Sequence, residues 1–367
     1  MLIAISDVWR KAEADHLKYV VARTDAWMAN NGKGAAAMLR AFILKHRKAI
    51  AIGRPTQLRR VARLVEGRLG VRCAADRQLL QQVIAAKDVG ADRQYDPARQ
   101  HWCDVMKECE RAFSYRHFTT KHTIKHTTNQ ATNQATNQAT NQATNQATAW
   151  DAYALCREAT CRICPYCQQA YAFTLHVDEE KVFRPTLDHY YAKSIYPYLA
   201  VSLYNLVPSC YTCNSALKRD LDFLDDAHLH PFEDREDIQF TVDPFSLMDH
   251  KDNCTEELTA IATPGHGSAR AEASCNTFRL SDRYALNGYE LAMLVNALHQ
   301  WTPTAIADTA SGQGCTAQQF ETLLFQFDPA NYANEMLGRM KKDVIELFRR
   351  ESAKMAAAGA APVPPGP

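Results

Sequence analysis

Two short stretches, Cys164-Pro165-Tyr166-Cys167 and Cys210-Tyr211-Thr212-Cys213, decide how this chain is read. In each, a two-residue gap lets a tight turn aim both thiolates at one ion, and two such pairs complete a tetrahedral Zn²⁺ shell. Four sulfurs leave no open position, so the ion holds structure and does no chemistry. Between and just after the pairs stand Leu187-Asp188-His189, Tyr204-Asn205-Leu206-Val207-Pro208 and Asn214. They offer a carboxylate, an imidazole and two amides, groups that suit a hard cation and a water. Cys161 allows a shifted pair and Cys156 adds a further ligand candidate, but the Pro-Tyr turn and two clean gaps favour Cys164 with Cys167.

Outward from the knuckles, residues 150–225 read as one small core. Ala170 to Val177 and Val182 to Leu187 predict short strands, and Pro208 to Lys218 a helix entered through proline, giving the order strand, strand, helix. On that helix Asn214 and Lys218 stand four apart on one face, with Lys218 able to meet a phosphate; a solvated lysine is the plain alternative.

Residues 1–120 predict a helical region. Apolar spacing marks helices over 6–30 and 35–52, then from Thr56 to Gly70, from Arg77 to Lys87 and from Gln100 to Phe113. The third carries Leu58, Val61, Ala62, Leu64 and Val65 inward and Arg59, Arg60 and Arg63 outward. The arginines from Arg54 to Arg68 fit a grip on a phosphate backbone or the charged face of an amphipathic helix. Residues 121–149 hold a Thr-Asn-Gln-Ala repeat with nothing apolar to bury, expected to be a flexible insert. Residues 226–352 predict a second helical region, with helices over 286–301 and 316–327 and a long one from Asp328-Pro329 to about Lys354. Met336, Met340, Val344 and Leu347 would be its buried stripe. The Ala/Pro-rich segment 353–367 is expected to be a disordered tail. The fold class is therefore α+β: mainly α-helical with a small zinc-stapled core.

The 367 residues carry a formal net charge of +1, so any nucleic-acid surface must be local. No uninterrupted apolar run is long enough to cross a bilayer, and no membrane partner is expected. Twelve cysteines without a signal peptide point to the reducing cytoplasm rather than a disulfide framework. Cys73, Cys103, Cys109, Cys254, Cys275 and Cys315 read as incidental thiols. His122 and His126 have the four-residue spacing of a metal pair but lack a third ligand and read as linker residues; His230 is a candidate contact for metal or substrate but reads better as part of a turn. Tyr190, Tyr191, Tyr196, Tyr198 and Tyr204 suit base stacking or packing around a small zinc core equally.

The run Leu187-Asp188-His189, then Asn205-Leu206-Val207-Pro208, then Cys210-x-x-Cys213-Asn214 with Lys218 resembles the HNH endonuclease family, whose ββα-metal fold is often clamped by four cysteines. The resemblance implies a phosphodiester hydrolase of nucleic acid, DNA favoured and RNA possible. It assigns His189 as general base, Asp188 and Asn214 as ligands of one divalent cation such as Mg²⁺, Asn205 as the brace of the loop carrying the base, and Cys164, Cys167, Cys210 and Cys213 as structural zinc ligands. Histidine is frequent in the family where this chain has Asn214, a departure that favours oxygen-loving ions. The run Leu187-Asp188-His189-Tyr190-Tyr191-Ala192-Lys193-Ser194-x-Tyr196-Pro197 and the helical flanks also look similar to the HNH subunits of Septu-type and retron-linked bacterial anti-phage defence systems, which implies an ATPase partner. A stand-alone restriction or homing nuclease, and a catalytically silent zinc module, are the alternatives.

Overall fold

The structure is a computed structural model that describes residues 2–30, 35–69, 76, 82, 97–120, 150–177, 180–249 and 258–359. The expected helix over 77–87, the Thr-Asn-Gln-Ala repeat, His122, His126, Cys73 and Cys254 lie outside the described residues, apart from residue 82. The described residues are mainly helical, with three two-stranded antiparallel sheets, an α+β architecture. They group into two compact units, one within 5–162 and 172–234, the other within 1–4, 163–171 and 235–367. Among the described residues no helix is long and apolar enough to cross a membrane.

The first unit opens with α1 (Glu13–Asn30), α2 (Ala35–Ile52) and α3 (Pro55–Leu69). Helix α1 begins later than its apolar spacing predicts, because residues 6–12 are spent in turns that bury Val8 and Trp9. Helix α3 buries Leu58, Val61, Ala62, Val65 and Leu69, the three-and-four spacing of one helical face. Leu64, expected inside, is 48% exposed: it follows Arg60 by one helical turn and shares that residue's outer face. Next come α4 (Pro97–Ala112), α5 (Tyr115–Thr119) and α6 (Ala152–Arg157). The Ser114 side chain caps α5 by accepting from the His117 N–H, and Asp151 caps α6 by accepting from the N–H groups of Tyr153 and Ala154.

Strand β1 (Leu175–Val177) pairs with β2 (Glu180–Phe183), and β3 (Thr186–His189) with β4 (Leu206–Ser209), both antiparallel. The strand expected from Ala170 shrinks to its last three residues, because Ala172 donates its N–H to the Arg162 carbonyl and the segment before it closes a turn. In the second pair Asp188 stands opposite Val207 and His189 opposite Leu206. Pro208 was expected to open a helix; it lies in β4 opposite Leu187, where a two-stranded ribbon has an edge that needs no proline N–H. The helix therefore starts later, over Thr212–Lys218, and is a π-helix, closed by the Arg219 N–H donating to the Asn214 carbonyl at 2.9 Å.

The second unit pairs β5 (Ile238–Thr241) with β6 (Ile261–Pro264) and surrounds them with α7 (Pro244–Met248), α8 (Ala269–Thr277), α9 (Leu280–Ala285), α10 (Gly288–Gln300), α11 (Pro303–Gly312), α12 (Ala317–Phe325) and α13 (Gly338–Gly359). Asp328 does cap a helix, but only the 3₁₀ turn Pro329–Asn334. The long helix restarts at Gly338, after Leu337 in the left-handed conformation at φ 56°, and an added Cβ at Gly338 would sit 2.0 Å from the Tyr332 carbonyl oxygen, so this close approach requires glycine. Met340, Val344, Leu347 and Phe348 are buried on α13, while Met336 precedes the helix and is half-buried. The helix continues through Gly359, so residues 353–359 belong to it and not to a tail; residues 360–367 lie outside the described residues. Arg339 on α13 donates to Asp343 at 2.9 Å and to Glu236 at 2.6 Å, and Asp343 accepts the Phe240 N–H of β5 at 2.8 Å.

Candidate metal centre and catalytic cleft

The first knuckle is a hairpin turn held by its own backbone. The Cys164 N–H donates to the Ala170 carbonyl at 2.9 Å, Ile163 bridges to Tyr171, and the Cys164 carbonyl accepts from the N–H of Gln168 at 2.9 Å. Gln168 sits at φ 50°, the left-handed conformation that brings a chain back on itself. Its side chain is buried, accepting the Arg339 N–H at 2.7 Å and donating to the Tyr332 carbonyl at 2.8 Å. Backbone N–H groups also point at sulfur: Gln169 at Cys167 Sγ, 3.5 Å, and Cys213 at Cys210 Sγ, 3.4 Å. The four Sγ atoms of Cys164, Cys167, Cys210 and Cys213 are buried and lie within 4.8 Å of one another. Sulfurs about 2.3 Å from a shared ion would be spaced at about 3.8 Å, so this cluster can hold a zinc ion after small side-chain adjustments. Cys156 and Cys161, the rival ligands, are not part of the cluster; burial pushes each of their thiols up to about 12, which keeps them protonated and inert.

The hairpin of β3 and β4 and the π-helix that follows carry the oxygen and nitrogen groups. Asp188, His189 and Asn214 line one cleft of about 410 Å³, together with Tyr115, Arg184, Lys193, Arg219 and Asp220. His189 Nε2 lies 2.9 Å from the Ala200 carbonyl oxygen. A carbonyl can only accept, so Nε2 carries the proton of the neutral ring and Nδ1 keeps its lone pair. The Tyr115 ring packs edge-on against the imidazole at 4.3 Å. Burial, aided by the nearby Lys193 charge, pushes the His189 pKa down to about 3, which keeps the imidazole neutral at any ordinary pH.

Asn205 is fully buried and spends its amide on the loop between the two strands. Its Oδ1 accepts the Tyr191 N–H at 2.7 Å, and its Nδ2 donates to the carbonyls of Tyr191 and Leu199, both at 3.0 Å. Those bonds span the segment that starts beside His189 and ends beside Ala200, the carbonyl that orients the ring. Lys218 is neither a phosphate contact nor a solvated lysine. It is 1% exposed, with Nζ 2.7 Å from the His189 carbonyl and 3.1 Å from Asp188 Oδ1, a strut between the π-helix and β3.

The remaining sequence candidates resolve structurally. Tyr190, Tyr191, Tyr196, Tyr198 and Tyr204 are all buried and pack against one another and their neighbours. His230 lies outside the cleft: its Nδ1 accepts the Phe232 N–H and its backbone N–H donates to Asp234, a braced turn. Of the basic run, Arg59 is held by Glu233 at 2.7 Å, Arg63 by Glu66 at 2.9 Å, and Arg54 lies over the Tyr204 ring. Tyr115 and Lys193 are cleft residues that sequence reasoning missed. Tyr115 lies far from β3 in the chain, and only the Ser114 cap marks that a helix begins there.

Comparison of the chain with protein-family models, with curated proteins and with solved structures gives no match.

Proposed function

We propose that this chain is an HNH-type metal-dependent endonuclease that hydrolyses phosphodiester bonds in nucleic acid, with a structural zinc on Cys164, Cys167, Cys210 and Cys213. The observation that carries the reading is that Asp188, His189 and Asn214 line one cleft while a carbonyl holds His189 Nε2 and leaves Nδ1 as the base. Nδ1 takes a proton from water as its oxygen attacks phosphorus; the P–O bond to the leaving oxygen breaks, and that oxygen is protonated from solvent. Asn205 keeps the imidazole on its carbonyl through the loop it braces. The Asp188 carboxylate and the Asn214 amide oxygen are the hard donors that fit a divalent cation such as Mg²⁺, which when bound neutralises charge on the phosphate and the leaving oxygen. The further resemblance to anti-phage nuclease subunits extends the proposal to an ATPase partner. A preparation fully active as an isolated monomer would count against that extension.

One observation favours a second reading, a silent zinc module: the Lys218 ammonium lies 3.1 Å from Asp188, where it weakens any cation's hold on that carboxylate. Incubation of zinc-loaded protein with supercoiled DNA and with structured RNA, with and without added Mg²⁺, separates the two. Mg²⁺-dependent nicking of either substrate supports the nuclease. Intact substrates across Mg²⁺, Mn²⁺ and Ca²⁺ at every protein concentration leave the silent module.

A further inference from the structure

A second and larger cleft, of about 820 Å³, adjoins the one that holds His189 and shares Tyr115 and Lys193 with it. Its walls come from α1, α4, α5 and the loop after β3. They carry Arg23, Lys107, Arg111, Arg116 and Lys193 against one carboxylate, Glu110, with His117 beside them. Arg111 is paired with Glu108 of its own helix, which leaves four cations against the one acid of the lining, still a local excess on a chain whose formal charge is +1. Two features of this lining go beyond a cluster of surface cations. Arg23 lines the cleft and its Nε is buried without a hydrogen-bond partner, so that part of its guanidinium is not tied to any protein acceptor. Lys193 lies over the Tyr115 ring at 5.0 Å, so a single cation, fixed on an aromatic face, serves both clefts.

We propose that this second cleft is the track along which the phosphodiester backbone of the substrate strand runs to the scissile position. The proposal rests on the nuclease reading above and adds the substrate's binding path. Guanidinium and ammonium groups spaced along a groove suit successive phosphates, and the shared wall makes the strand continuous from one cleft to the next. The cations bind without reading bases, so the track is indifferent to sequence.

The test is equilibrium binding of labelled single- and double-stranded oligonucleotides to zinc-loaded full-length protein without added Mg²⁺, at salt between about 50 and 200 mM. Lys107, Arg111 and Arg116 are exposed, so the variant Lys107→Gln/Arg111→Gln/Arg116→Gln should fold. It is expected to bind about 10- to 100-fold more weakly and to lower the slope of log affinity on log salt by about two to three. The control Arg350→Gln/Lys354→Gln, exposed on α13, should change neither. Unchanged affinity and slope in the triple variant would overturn the track even if wild type cleaves. Wild type that binds neither nucleic acid, or that binds poly-glutamate as tightly, overturns it too and gives the cleft to another ligand. Weakened binding in the triple variant of a protein that never cleaves upholds the track and removes the nuclease.

Discussion

At the scale of single residues, the site depends on groups whose hydrogen bonds allow them one job. His189 donates at Nε2 and so has one nitrogen left for a proton. Asn205 makes three buried bonds, so Asn205→Ala leaves an N–H and two carbonyls unsatisfied and is expected to cost about 3 to 5 kcal/mol in denaturant unfolding, with activity lost alongside. Lys218→Met strands the Asp188 carboxylate in the interior, a loss of about 3 to 5 kcal/mol. If Asp188 is a cation ligand, Mg²⁺ should restore more stability to that variant than to wild type in a thermal melt; equal Mg²⁺ shifts would speak against a cation there. His16, buried against the Val201 carbonyl at 2.7 Å, has its pKa pushed down to about 4 by burial. Its folded value lies below the ordinary 6.5, so the unfolded chain binds more protons between those pH values and stability falls as pH drops through that window. Between pH 7 and 5 the expected loss from His16 is about 2 kcal/mol in urea unfolding, and His16→Gln should flatten the profile.

At the scale of elements, the β3–β4 hairpin and the π-helix place these residues. The two-residue gaps between cysteines were legible because a metal turn needs fixed ligands at fixed spacing, and the four thiols that spacing selects are the ones that converge. The helices α2, α3, α10 and α12 were legible from apolar period and helix breakers; the reciprocal box of Thr316 with Gln319 on α12 is seen only in the structure. What the chain hid was tertiary. Pro208 reads as a helix start until a strand edge claims it, and Asp328 caps only a short turn because the chain leaves helical geometry at Glu335 and Leu337, φ 56°, before α13. Lys218 reads as a surface lysine because nothing local announces a buried carboxylate partner. Tyr115 and the basic cleft are assembled from distant segments and have no contiguous motif. For the staple itself, Cys213→Ser should abolish stoichiometric zinc in elemental analysis and lower the melting temperature by about 10 °C. Full zinc content in that variant would remove the four-sulfur centre.

At the scale of the whole molecule, a nearly neutral chain concentrates positive charge in one cleft and sets it beside another that holds an imidazole, a carboxylate and an amide. Long-range attraction is weak at such a net charge, so the proposed capture of nucleic acid would depend on that local field and should decline steeply with salt. The account stands on His189 as the base. Its most direct test is the rate of Mg²⁺-dependent nicking by wild type and His189→Ala at matched zinc content and matched oligonucleotide affinity. A loss of about 10² to 10⁴ in rate with binding intact is the predicted result; equal rates in the two proteins would contradict it.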